Sequence, residues 1–458
     1  MIRGLGELAR VTGGVLHGDD AAFGVVTSDS RALEPGALFV ALRGERFDGH
    51  QFVPDALAHG AAGALVERVV SVPLPQVVVR DALAGLAGFA AAWRQDFGGK
   101  VVGITGSNGK TTVKEMTGSI LSCEGPTLVT RGNLNNHIGV PLTLCRLEAS
   151  HRYAVVEMGA NHQREIAHLA SIARPDIGVV INAGPAHLEG FGGIDGVAKG
   201  KGEMFEALEA GGTAVINADD RFAAFWHGLA RKAGRVLTFG VRERADFTAR
   251  DVRSGPTEGG FETSFDLVTP AGHRRVALAL AGEHNVMNAL AAAAAAHGAG
   301  AGLDAIVGGL ARMRAVAGRL EVMRLPGGAR LIDDSYNANP ASVRAGLRAL
   351  AALDGRHWLV LGEMRELGPD SSQLHAEIGE FARQSGVTRL LAVGDEARHA
   401  VEAFGAGATW FAAVEELISV LGAELTPDVA VLVKGSRSNR LERVAAALGG
   451  GATQGRAH

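Results

Sequence analysis

The sequence predicts an α/β protein of three domains: a small N-terminal α/β domain, a central phosphate-loop ATPase-like doubly wound parallel sheet, and a C-terminal Rossmann-like α/β domain. Three observations carry this. The 458 residues correspond to about three domains of ordinary size. Short, wholly apolar runs such as 154–156 and 177–181 recur between helical stretches, as expected of strands buried on both faces of a parallel sheet. The stretch VVGITGSNGKTT (101–112) passes from an apolar strand through a glycine-rich turn into a helix start.

Taken in order, residues 1–80 carry short strands at 23–27, 37–41, 63–66 and 76–79, with a helix at 53–60. An alanine-rich helix at 81–98 leads into the nucleotide strand, so a boundary is expected near residue 82. From 100 to about 312 strands alternate with helices, with strands at 154–157, 177–181 and 213–216, and the helix 285–297 closes this part. After residue 319 a new series begins, with strands at 329–333, 357–361, 389–393 and 429–433. The expected domains are therefore 1–82, 83–312 and 313–458, and the tail 449–458 is expected to fray.

Composition narrows the class. With 47% hydrophobic residues and 64 glycines, the chain can build a core and turn often. A net charge of −4 leaves no basic footprint for nucleic acid. The two cysteines, Cys123 and Cys145, sit in no metal or redox motif, which suits a reduced, cytoplasmic setting. The start, MIRGLGELARVTGG, lacks a signal-peptide core, and the alanine tract 289–296 is too short and weakly apolar for a membrane span.

The chemistry begins at the turn. Backbone N–H groups and a helix N-terminus converge there, which suits phosphate. Lys110 supplies charge for the β/γ-phosphates, and the Thr111 hydroxyl suits Mg2+. Ile104 stands where the usual pattern has its first glycine, so the loop is better described as Thr105, Gly106, Ser107, Asn108, Gly109, Lys110, Thr111 and Thr112. A nucleoside triphosphate is the expected substrate.

Other residues carry two readings each. Glu157, at a strand end, is placed to hold Mg2+ or is a solvated carboxylate. His187 follows the next strand, as a functional or a surface histidine. Asp219 and Asp220 meet substrate or form a polar turn. Asn285, in HNVMN (284–288), reads on spacing as a helix cap. Arg319 lies at the hinge into the third part, from which it can neutralise a transferring phosphoryl group; alone it reads equally as a surface cation. DDSYNANP (333–340) and KGSR (434–437) follow strands and are dense in polar groups, the second suited to an anion.

Together, TGSNGKTT (105–112), NNHIGVP (135–141), Glu157, His187, His284 with Asn285 and Asn288, Gly318-Arg319 and DSYN (334–337) resemble the Mur ligases, ATP-dependent amide-bond-forming enzymes of peptidoglycan synthesis. TSDSR (27–31), LFVALRG (38–44), DGH (48–50), GFG (190–192), DSYNANP (334–340) and LGEMRELG (361–368) point within that family to the branch that adds D-alanyl-D-alanine. One departure is Val316-Ala317, where the family often has Pro.

The resemblance implies a cytoplasmic, monomeric enzyme acting on small molecules, with no nucleic-acid or membrane partner. The first domain would bind the uridine-diphosphate end of a UDP-N-acetylmuramoyl-tripeptide through Ser28, Ser30 and Arg31, with Asp48 and His50 lining the same region. ATP would be held by 105–112 with Asn285, Asn288, Arg319 and Asp334. Tyr336, Asn337, Asn339, Lys434, Ser436 and Arg437 would meet the acceptor or the tripeptide. Lys110, His187, Lys201 and Arg319 would be catalytic, and Thr111, Glu157, His187 and Lys201 would serve Mg2+. Lys201 matches a position where several Mur ligases carry a carbamylated lysine; the competing readings are a solvated helix lysine, or Lys199 in its place. ATP would convert the tripeptide carboxylate to an acyl phosphate, which the dipeptide amine attacks. A sister ligase, such as a folylpolyglutamate synthase, and a switching or transporting phosphate-loop NTPase are the alternatives; the first lacks the N-terminal and 361–368 motifs, and the second leaves 334–340 and 434–437 unexplained.

Overall fold

The computed structural model describes residues 3–44, 47–185, 188–257 and 260–449. His187 lies outside the described residues. At the centre is a parallel sheet of six strands in the order Arg235–Phe239, Thr213–Asn217, Ile177–Val180, Lys100–Thr105, Tyr153–Glu157, Thr127–Val129. The chain leaves Tyr153–Glu157 and crosses over Lys100–Thr105 to build the other half, so a crevice opens at the carboxyl end of that strand.

Alternate residues of these strands enter two separate cores. Val101, Ala154, Val156, Val180 and Ile216 pack against helices Ala82–Gln95, Glu165–Ala173 and Ile194–Glu206. Val102, Ile104, Val155, Val179 and Val215 pack against Lys110–Leu121, Glu283–Gly298 and Leu303–Ala311. Burial on both faces explains why these strands read as continuous apolar runs. The alanine tract is fully buried here, and its small side chains let the helix Glu283–Gly298 lie close to the sheet.

Two expectations for this part are corrected. Residues 248–278 do not alternate with helices but form an antiparallel meander, Thr248–Thr257, Gly260–Thr269 and Gly272–Leu278. Its middle strand buries Phe261, Thr263, Phe265, Leu267 and Thr269, a period of two diluted by polar residues on the solvent side. The helix Glu283–Gly298 does not close the part either, since Leu303–Ala311 follows it and packs on Lys110–Leu121.

The C-terminal sheet has the order Glu321–Arg324, Arg330–Asp334, Val429–Lys434, Arg356–Gly362, Val387–Val393, Ala408–Phe411, parallel except at its first pair. Its two edge strands were not in the sequence reading. The N-terminal sheet has the order Val15–His17, Gln76–Val78, Gly63–Val66, Leu38–Val40, Val26–Thr27. The expected strand at 23–27 is split: Ala22–Phe23 pairs with Arg3–Gly4, and Val26–Thr27 with Leu38–Val40. The break falls at Gly24, which has no side chain to pack. The helix Ala82–Gln95, capped by Asp81, faces both N-terminal and central parts. Its Phe89 packs at a tilt against Phe23, and its Trp93 donates to the Leu147 carbonyl at 2.9 Å.

Candidate active site

The phosphate loop joins Lys100–Thr105 to Lys110–Leu121. Gly109, the residue before the helix, has φ 84, and a Cβ there would lie 2.4 Å from Asn288 Oδ1. Glycine is thus required twice over, by backbone conformation and by space. The helix has no side-chain cap, so its first N–H groups remain for an anion. Asn182 holds the loop: its Oδ1 accepts from Asn108 N at 2.9 Å, and its Nδ2 donates to Asn108 O at 3.2 Å. Ser107 Oγ donates to Gly184 O at 3.0 Å. Lys110 curls over the loop, donating to Gly106 O at 2.7 Å. Desolvation holds Lys110 below the ordinary lysine range; Glu157 opposes that shift and Arg319 reinforces it.

Thr111 joins three parts of the fold. Its Oγ1 donates to Glu157 Oε2 at 3.0 Å and accepts from Arg319 Nη2 at 3.0 Å. Glu157 is 2% exposed, so it is no solvated carboxylate. Asn135 Nδ2 donates to its other oxygen at 2.8 Å. Lys114, fully buried, donates to Thr130 O at 2.8 Å and stands 3.9 Å from Glu157. Lys114 and Asn182 were absent from the sequence reading. A lysine one turn after Lys110, on the helix face that packs inward, was the available signal for the first.

Asn285 is not a cap, because the helix begins at Glu283 after Gly282. It lies inside the first turn, donating to Ala281 O at 2.8 Å and accepting from Asn288 Nδ2 at 3.0 Å. Asn288 thereby presents its oxygen to Gly109. His284 is pushed down to about 4 by desolvation, with the charges of Lys434 and Arg348 adding to the effect.

The C-terminal sheet supplies the opposite wall. Asn339 caps the helix Pro340–Ala351 and donates to Asn108 Oδ1 at 2.7 Å. Lys434 pairs with Asp334 at 2.6 Å and donates to Asn337 O at 2.8 Å. Burial pushes the Asp334 carboxyl up, while Lys434 and Arg319 hold it down. Ser436 Oγ accepts from Arg365 N at 2.9 Å, tying 434–437 to the 361–368 loop. The cavity so enclosed measures about 1,920 Å³ and is lined by residues 107–112, Glu157, Asn285, Asn288, Arg319, Asp334, Tyr336, Asn337, Asn339, Lys434, Ser436 and Arg437.

Other predicted residues lie elsewhere. Thr105 and Gly106 do not line the cavity, and among the described residues the Thr105 hydroxyl is buried without a hydrogen-bond partner. Lys201 is 1% exposed, which overturns the solvated alternative. It donates to Ala160 O at 3.0 Å beside the Phe191 ring, and desolvation lowers it well below the lysine range, with Lys110 adding to the effect. Lys199 is exposed. Asp219, by contrast, does line the cavity, but its carboxylate accepts from the Val241, Arg242 and Glu243 N–H groups of its own turn; Asp220 lies outside and accepts from Ala183 and Phe222.

Ser28, Ser30, Arg31, Asp48 and His50 do not line this cavity. Arg31 is exposed and pairs with Asp29 at 2.8 Å. His50 is buried, its Nδ1 bonded to Asp48 at 2.6 Å and its Nε2 accepting from Glu67 N at 2.8 Å. Both ring nitrogens are spent on holding the loop.

The oxygen donors fit Mg2+. Thr111 and Glu157 are hard ligands at a phosphate loop, and Mg2+ takes few protein groups beside phosphates and water. Among the described residues no group of three or more His, Cys, Asp and Glu forms a metal-ligand set.

A phosphate loop on a doubly wound sheet, reached by an arginine leading into a second parallel sheet, defines a nucleotide-using enzyme that assembles its site from separate units. The chain belongs to the Mur ligase family. Residues 23–89 match the Mur ligase family catalytic domain, 104–296 the Mur ligase middle domain, and 318–437 the Mur ligase glutamate ligase domain. The chain is 45% identical to the UDP-N-acetylmuramoyl-tripeptide--D-alanyl-D-alanine ligase of Escherichia coli, over 97% of this chain and 98% of that protein. A crystal structure of MurF from Acinetobacter baumannii superposes with a TM-score of 0.90 at 37% identity, covering 98% of this chain and 99% of that one. MurF of Thermotoga maritima in complex with ADP superposes with 0.80 at 29% identity, covering 93% and 97%.

Proposed function

We propose that this enzyme joins D-alanyl-D-alanine to the tripeptide carboxylate of UDP-N-acetylmuramoyl-tripeptide, spending ATP and releasing ADP and phosphate. The observation that carries the reading is the Arg319–Thr111 hydrogen bond, by which the C-terminal unit reaches into the phosphate loop. The full-length identity to the E. coli ligase supports the choice of substrates.

A carboxylate resists attack by an amine, so the γ-phosphoryl group is first transferred to it. Lys110 and Arg319 neutralise charge on the phosphoryl oxygens, and the uncapped first-turn N–H groups of Lys110–Leu121 bind the phosphates. Thr111 and Glu157 would hold Mg2+, which supplies further charge neutralisation at the phosphates. The acyl phosphate is then attacked by the dipeptide amine, and phosphate leaves. Arg348 and Arg437 line the cavity and suit the dipeptide carboxylate. Closure of the C-terminal unit over the phosphate loop would exclude water and protect the acyl phosphate.

Lys201 supports a finer reading. Burial favours the neutral amine of Lys201, the form that captures CO2, and as a carbamate it would present anionic oxygen instead of an ammonium. His187, outside the described residues, completes the expected set. The domains act as 1–82 for the UDP end, 83–312 for ATP and 313–458 for the acceptor, with Ser28, Ser30, Arg31 and the Asp48–His50 loop near the uridine-diphosphate. The enzyme works as a monomer in the cytoplasm; among the described residues no helix is long and apolar enough to cross a membrane.

ADP release is measured with UDP-N-acetylmuramoyl-tripeptide, with and without D-alanyl-D-alanine. Turnover that needs both substrates is the expected result. ATP hydrolysis indifferent to the dipeptide, or equal turnover with single amino acids, would overturn the assignment.

A further inference from the structure

We propose that Tyr336 is a positioning residue whose ring holds Arg319 and Arg437 on one platform, so that the arm on the phosphate loop and the arm facing the acceptor are set together. The Arg319 guanidinium carbon stands 4.3 Å from the ring centre, and that of Arg437 stands 5.3 Å from it. Both lie within the attractive range of a cation over an aromatic face.

Hydrogen bonding alone does not orient Arg319. Its Nη2 meets Thr111, while its Nε is buried with no hydrogen-bond partner among the described residues. A planar guanidinium held through one nitrogen can still swing about that bond, and stacking on a ring sets its plane. The backbone is built to the same end. Gly318 at φ 70 and Leu320 at φ 51 flank Arg319 with left-handed conformations. Tyr336 N–H donates to Gly318 O at 3.1 Å, and a Cβ at 318 would meet the Tyr336 Cβ at 3.4 Å. Hinge and ring are therefore one packed unit. Among the described residues the Tyr336 hydroxyl makes no hydrogen bond, so the ring, not the hydroxyl, carries the role.

The inference rests on Arg319 being the nucleotide arm, and the test separates the two claims. Full-length Tyr336→Leu, Tyr336→Phe, Arg319→Ala and the double variant Arg319→Ala/Tyr336→Leu are assayed for ADP release with both substrates. Tyr336→Leu is expected to lower kcat about tenfold, a loss within reach of desolvated cation–π contacts. The KM for the UDP-tripeptide should hold, and Tyr336→Phe should recover most of the loss. Added to Arg319→Ala, Tyr336→Leu should cost little more in kcat, because the nucleotide arm is already gone, and its remaining effect, through Arg437, should fall on the KM for D-alanyl-D-alanine. Tyr336→Phe falling as far as Tyr336→Leu, or losses that multiply in the double variant, would overturn the platform. If Arg319→Ala itself keeps full kcat, the nucleotide-arm reading fails and takes the platform with it. Thermal melts of all four chains exclude loss of fold as the cause, and Tyr336→Phe decides alone should the leucine variant not fold.

Discussion

Single charges govern the chemistry at the scale of the residue. Lys110 is held over the loop by Gly106 O, within the field of the Glu157 carboxylate. Lys110→Ala should cut ADP formation by at least about a hundredfold, as removal of one preorganised charge does, with an unchanged circular-dichroism melt. Near-normal turnover would remove Lys110 from the phosphate site. Lys201→Ala should lose most activity and regain part of it with short-chain carboxylates, which replace the carbamate oxygens; Lys199→Ala, at an exposed position, should be mild. Full activity of Lys201→Ala would end that reading. His284 takes a proton in the folded chain only near pH 4, but in the unfolded chain near pH 6.5. Between these values the unfolded chain binds more protons, so stability falls as pH drops through the window. His284→Gln should flatten the melting-temperature profile there relative to the parent chain; an identical slope in both would show that His284 does not set it.

Periodicity and turn chemistry decide the elements. Central strands were legible because two-faced burial keeps their interiors apolar, with polar residues only at the ends, as in Tyr153–Glu157 and Thr213–Asn217. The meander was not, because Thr248–Thr257 faces solvent along most of its length and reads as a loop. Its partner strand shows the pattern only once paired. Asn285 was misread for a related reason: a cap and a first-turn asparagine look alike in sequence, and Gly282 with φ 82 decides where the helix starts. The contact between this helix and the phosphate loop makes a specific prediction. Gly109→Ala forces a left-handed alanine against Asn288 Oδ1. The strain should weaken nucleotide affinity by about tenfold or more, read by calorimetric titration with ADP. Unchanged affinity would mean the loop relaxes freely.

Closure belongs to the whole molecule. Arg319 reaches Thr111 over a separation of 208 residues, and Asn339 reaches Asn108 over 231. Both contacts join the C-terminal unit to the phosphate loop, and neither touches the N-terminal sheet. Arg319→Ala should therefore depress kcat far more than it weakens binding of the UDP-substrate. Steady-state kinetics with each substrate varied separately decides it. A variant that loses UDP-substrate affinity but keeps kcat would assign Arg319 to a different site.

Local sequence by itself determined the phosphate loop, the buried strands that carry it, and the strand ends where Glu157, Asp334 and Lys434 stand. Those features follow from neighbouring residues: a glycine that tolerates φ 84, an apolar run, a polar residue where the run stops. Tertiary structure alone decided that Lys114 and Lys201 are buried, that Asn182 braces the loop, and that His50 ties its own loop at Asp48 to the distant backbone of Glu67. A buried polar group needs partners to offset its desolvation, and here those partners come from distant segments. Spacing along a chain does not say which strand lies beside which, so it could not say who those partners are.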